Sequence, residues 1–65
     1  MEHELKLDTM VFVREGERAM ELALIEKIDH YYNGEVTVYT ASYSDGELLE
    51  FTEDNINDTV FVVAE

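Results

Sequence analysis

Apolar residues in this chain cluster in short runs separated by turn chemistry, which is the pattern of a small antiparallel β protein. Met10-Val11-Phe12-Val13-Arg14 is rich in strand formers and closes on Glu15-Gly16-Glu17. Thr59-Val60-Phe61-Val62-Val63 forms a last strand, apolar enough to be buried on much of both sides. Between them, residues 35–51 (EVTVYTASYSDGELLEF) read as two strands folded about Asp45-Gly46, with a second turn signal at Asn33-Gly34. Both central residues of a type I′ turn need positive φ, so Asn-Gly and Asp-Gly are strong hairpin signals. Two such turns a dozen residues apart commit the middle of the chain to a meander.

If Asp45-Gly46 is a two-residue loop, Ser44 pairs with Glu47, Ser42 with Leu49 and Thr40 with Phe51. Val36, Val38, Leu49 and Phe51 then share the core face. Tyr39, Ala41 and Tyr43 lie on the other, opposite Leu48 and Glu50. A slip of one residue exchanges these faces. Residues 18–29 (RAMELALIEKID) fit two periods. At 3.6, Met20, Leu24 and Ile28 share a helix face; at 2, Met20, Leu22, Leu24 and Ile28 point one way along a strand. The missing N-cap and the direct run into Tyr31-Tyr32 and the Asn-Gly turn favour the strand. Thr52-Glu53-Asp54-Asn55-Ile56 has the look of a short capped turn, with acids at its positive end. Residues 1–9 alternate only loosely, with Leu5 and Leu7 in a short strand or tether and Glu2, Glu4 and Asp8 outside.

The order of elements resembles a small SH3-like barrel: mostly β, five antiparallel strands with one short helical turn before the last. The resemblance covers about residues 10–63 and implies a fold, not a proline-peptide groove, for which Tyr31 and Tyr32 are too thin a match. A five-stranded OB-type barrel or a sheet-mediated dimer also fits the pattern. Residues 1–65 form a single domain, with residues 1–9 a weakly structured N-terminal segment.

Composition narrows the function. The 65 residues are 46% hydrophobic, enough for a core, and contain no cysteine for a disulfide or a thiolate metal site. No apolar run reaches membrane-spanning length, and MEHELKLD lacks a signal peptide's basic start, which reads as a cytoplasmic protein. Sixteen acids against four bases leave −12 at pH 7. Such a field repels nucleic acid and attracts a basic partner.

Catalytic and metal chemistry find no support. Carboxylates are abundant, but a glycosidase pair needs an apolar pocket that a domain of this size has little room to build. Counted from Asp54 as an EF-hand loop, Ile56 and Thr59 stand where a ligand and a glycine are needed. His3 and His30 lack metal-spaced partners, and three scattered glycines make no phosphate loop. The expectation is no enzyme, no cofactor and no metal.

The acids are the candidate site. Glu15 and Glu17 lie in the first loop, and Asp45, Glu47, Glu50, Glu53 and Asp54 follow in and after the second hairpin. Tyr39 and Tyr43 are candidate apolar contacts, since tyrosines concentrate at interfaces, and with Leu48 they suit a patch for self-association. A compact chain of this length is roughly 28 Å across. Duplex DNA of that length carries about 16 phosphate charges. Small size, no cysteine and excess carboxylates on a β scaffold resemble the acidic DNA-mimic proteins that bacteriophages make against host DNA-binding proteins. That resemblance is compositional. It implies a basic DNA-binding partner, for example a histone-like nucleoid protein, met in the host bacterial cytoplasm, with no direct nucleic-acid or membrane binding. A small acidic adaptor without mimicry is the alternative.

Overall fold

The computed structural model describes residues 5–63. Five strands form one antiparallel sheet: β1 Met10–Val13, β2 Ala23–Tyr31, β3 Val36–Tyr43, β4 Leu48–Thr52 and β5 Val60–Val62. A 3-10 turn, Glu53–Asn55, joins β4 to β5. The sheet order is β4-β3-β2-β1-β5, so the sequential meander is flanked by β1, which receives β5 on its far side. Among the described residues no ladder joins β4 to β5, and the sheet is open. No helix among them is long and apolar enough to cross a membrane.

The Asn33-Gly34 turn forms as its chemistry dictates. Both residues have positive φ, the Glu35 N–H donates to the Tyr32 carbonyl at 3.1 Å, and Tyr31 pairs with Val36. Tyr32 also takes a left-handed backbone, at φ 55°.

The second turn is one residue longer than the two-residue reading. Ser44, Asp45 and Gly46 make the loop, the Gly46 N–H donates to the Tyr43 carbonyl at 3.0 Å, and Gly46 alone among the three has positive φ, at 94°. This is the three-residue hairpin with a glycine bulge. The Asp45 carboxylate holds it by accepting the Glu47 N–H at 3.1 Å. In consequence Tyr39 pairs with Phe51, Thr40 with Glu50, Ala41 with Leu49 and Ser42 with Leu48. β3 is turned over relative to the expected register while β4 keeps its expected face, so Tyr39, Ala41 and Tyr43 enter the core with Leu49 and Phe51, and Val36 and Val38 are half-buried on the opposite face. The three-residue loop sets this register, and it places Tyr39 and Tyr43 on the core face.

Residues 18–29 resolve as a turn followed by β2, with no helix. The strand's face also differs from the simple alternation. Ile25 pairs with Ala41 but Lys27 pairs with Thr40, so Glu26 is an extra residue in a bulge. The bulge resets the phase. Ala23 and Ile25 point into the core before it and Ile28 packs on the core after it, while Leu22 and Leu24 remain on the outside.

The core is Val11, Ala23, Ile25, Tyr39, Ala41, Tyr43, Phe51 and Val60. The Tyr39 and Phe51 rings stack with centroids 5.3 Å apart. Tyr39 is fully buried, and its hydroxyl accepts the Leu5 N–H at 3.1 Å. Residues 5–9 form a turn rather than a strand. They are tied on by Asp8 N–H to the Ile25 carbonyl at 2.7 Å and Ile25 N–H to the Thr9 carbonyl at 3.0 Å. The expected positions of Glu2 and Glu4 fall outside the described residues.

Candidate protein-interaction surface

Backbone geometry sorts the candidate acids into separate groups. The β1–β2 loop and the β3–β4 turn lie at the same end of the sheet, because β1 and β3 both run toward it. Arg18 joins them. Its guanidinium bonds Glu21 at 2.7 Å, bonds Asp45 more closely still, and reaches Glu47 at 3.5 Å. It lies over the Tyr43 ring, 4.5 Å from the centroid. One cation therefore serves three carboxylates.

The electrostatics follow from those contacts. The hydrogen bond from Arg18 holds the Asp45 carboxyl below the usual carboxylate range, helped by the Glu47 N–H. The same bond to Asp45 raises the Arg18 guanidinium, with Glu21 and Glu47 adding to it. Burial pushes the Tyr43 phenol up, and the Arg18 charge opposes that rise.

Glu15 and Glu17 stand exposed in the same loop without a basic partner among the described residues. Glu15 shares a groove of about 430 Å³ with Asp58, Val13, Thr59, Phe61 and Arg14, and the Arg14 guanidinium covers the Phe61 ring at 4.2 Å. At the opposite end, Glu53 and Asp54 line a smaller cleft of about 100 Å³ with Glu35. The 3-10 turn positions them: the Asn55 side-chain oxygen accepts the Thr52 N–H at 3.0 Å and its hydroxyl at 3.3 Å. Glu50 lies midway, opposite Thr40, which in turn faces Lys27. Lys27 pairs with Asp29 at 3.7 Å.

Two candidates need correction. Tyr39 is fully buried and Tyr43 is only 6% exposed, so neither offers its ring to a partner; the register slip at the Gly46 bulge put both into the core. The exposed tyrosines are Tyr31 and Tyr32, at the Asn-Gly turn. The expected patch of Leu48 with Tyr39 and Tyr43 is replaced by another. Met10 pairs with Leu24, Leu24 with Ser42 and Ser42 with Leu48, one cross-strand row on the outer face. Their exposures are 38% for Met10, 41% for Leu24 and 58% for Leu48, with Leu22 beside them at 50%.

Five charged residues with a part in these groups escaped sequence reading: Arg14, Arg18, Glu21, Glu35 and Asp58. Glu35 directly follows the Asn33-Gly34 turn, which already fixed its end of the sheet. Nothing local marks Arg18 as the shared partner of Asp45 and Glu47, 27 and 29 residues on in the chain. Among the described residues no three carboxylates or imidazoles converge to hold a metal ion. The His30 ring nitrogen Nδ1 lies 3.2 Å from the Thr37 hydroxyl. Among the described residues the carboxylates thus stand in groups of two or three at the two ends of the sheet. No protein-family model, no characterised protein and no solved structure matches this chain.

Proposed function

We propose that this chain is a non-catalytic acidic DNA mimic that binds a basic DNA-binding protein, such as a histone-like nucleoid protein, and blocks its DNA site. The observation that carries the reading is the shortage of cations. Of the four bases, Arg18 and Lys27 are taken up in ion pairs and Arg14 lies on Phe61, which leaves Lys6, while Glu15, Glu17, Glu35, Glu50 and Asp54 stand exposed. The body measures 33 × 22 × 22 Å. Duplex DNA of that length carries about 19 phosphate charges, so −12 is over half its linear density. The strand order and the 3-10 turn before β5 support an SH3-like barrel left incompletely closed. On this reading the chain is a bacteriophage product that acts in the host cytoplasm and contributes to host takeover.

The test is competition. In excess, the chain should release duplex DNA from a basic nucleoid protein in a fluorescence-anisotropy assay, with an effect that falls steeply as salt rises. Charge removal at Glu15, Glu17, Glu50, Glu53 and Asp54, each to its amide, should abolish it. If DNA stays bound to every basic protein tried at moderate salt, mimicry is wrong. The apolar row on the outer face favours a second reading, an acidic adaptor that docks a partner without competing with DNA. That reading predicts binding that survives the amide substitutions.

A further inference from the structure

The outer face of the sheet leaves four large apolar side chains in water. Met10, Leu22, Leu24 and Leu48 together expose on the order of 350 Å², within the range of the largest and often functional patches on monomeric proteins. Met10, Leu22, Leu24, Ser42 and Ser44 line a shallow groove of about 260 Å³ there. Ser42 makes the low point of the row, between Leu24 on one side and Leu48 on the other.

The row runs across the strands rather than along one. Leu48 and Met10 sit three strand steps apart, roughly 14 Å at the usual inter-strand spacing. An α-helix presents one stripe over that distance, with residues i, i+3, i+7 and i+10 spanning about 15 Å of rise. A strand added to the sheet would engage an edge, not this face.

Charge selects among helical occupants. Glu26 and Glu50 border the row on one side, and Asp45 and Glu47 stand at the turn beside Leu48. The bases on this border are engaged, Lys27 by Asp29 and Arg18 by Asp45 and Glu47, so Glu26 and Glu50 are the acids left to a partner's cations. A second copy of the chain would bring the same acids and another −12 against them. A helix with an apolar stripe and lysines or arginines on its flanks answers both the row and its border.

We propose that this face docks a basic amphipathic helix of the partner protein, with the helix's apolar stripe on Met10, Leu24 and Leu48 and its cations against Glu26 and Glu50. The proposal deepens the one above and rests on its premise that the partner is basic.

The probe is a synthetic amphipathic helix of lysine and leucine, compared by calorimetry with a scrambled peptide of the same composition. The amphipathic peptide should bind more tightly than the scrambled one. Leu24→Thr with Leu48→Thr should weaken it at least about tenfold, the loss of apolar burial at two sites. Glu26→Gln with Glu50→Gln should weaken it too and flatten its salt dependence. Both leucines are exposed, so a circular-dichroism melt should show the variant folded; Leu48→Thr alone, on the edge strand, serves if it does not. Equal binding of the two peptides, or no response to the leucine changes, would overturn the proposal. So would a dimer in sedimentation that the leucine changes dissolve, because the occupant would then be a second copy. Wild-type chain that binds the helix yet never displaces DNA supports this docking face and defeats mimicry.

Discussion

The two faces of this sheet are both apolar, and only one of them is a core. On the inner face Tyr39, Ala41, Tyr43 and Phe51 meet Val11, Ile25 and Val60 and lose their water. On the outer face Met10, Leu24 and Leu48 stand in register across the strands with nothing over them among the described residues. The inner side chains include three aromatic rings, Tyr39, Tyr43 and Phe51, and they are covered from both ends of the chain: residues 5–9 tie onto β2 and Tyr39, and β5 completes the far side. Hydrophobicity alone does not assign a face. Closure does, and closure comes from segments distant in sequence.

The largest effect expected from breaking that contrast is on the inner face. Phe51→Ala removes a ring stacked on Tyr39 and should cost about 3–5 kcal/mol, comparable with the roughly 3–10 kcal/mol that stabilises a domain of this size. The melt should lose its cooperative transition and the amide spectrum its dispersion. Gly46→Ala tests the turn that chose the faces. A Cβ meets no neighbour there, but φ at 94° strains any L residue, so about 1–2 kcal/mol should be lost while the fold remains. Leu24→Thr with Leu48→Thr should shift stability by no more than about 0.5 kcal/mol per site, since both are exposed. A melt that falls as far as for Phe51→Ala would show that the outer face is a second core.

The smallest effect concerns the loop clamp. Arg18→Gln should let the Asp45 carboxyl return upward toward the ordinary range and push the Tyr43 phenol further up, read by carboxyl NMR and ultraviolet titration. The sign for stability follows from the depressed carboxyl. The contribution of Asp45 is complete above the ordinary aspartate range near pH 4 and is lost as pH falls through the lower folded value. In Arg18→Gln the low-pH limb of the stability profile should therefore become shallower.

Much of the strand order was legible because turn chemistry and β-rich runs act locally. Both hairpins, β1, β5 and the 3-10 turn lie where the pattern places them. The registers were not, and each miss has a local cause. One additional residue in the β3–β4 loop turned β3 over against a β4 that faces as expected, and Glu26, an additional residue inside β2, separated Leu24 from Ile28. With apolar residues at both phases of β3, periodicity could not choose between Val38 and Tyr39. At the candidate site, the acids were readable by type and by loop. The sharing of Arg18 among Glu21, Asp45 and Glu47 was not, because it joins two loops that only the folded sheet brings together.

The place of β5 has a consequence for the order of events in folding. The meander of β2, β3 and β4 closes through turns of a few residues, whereas Val11 meets Val62 only after the whole intervening chain has been threaded. Loop closure over that span costs more entropy, so the hairpins are expected to form first and the two ends of the chain to dock last. Val60→Ala would then speed unfolding and leave the refolding rate nearly unchanged, while Ala41→Gly, in the middle of the meander, would slow refolding. Stopped-flow measurement of the two variants would reverse this order if the ends met first.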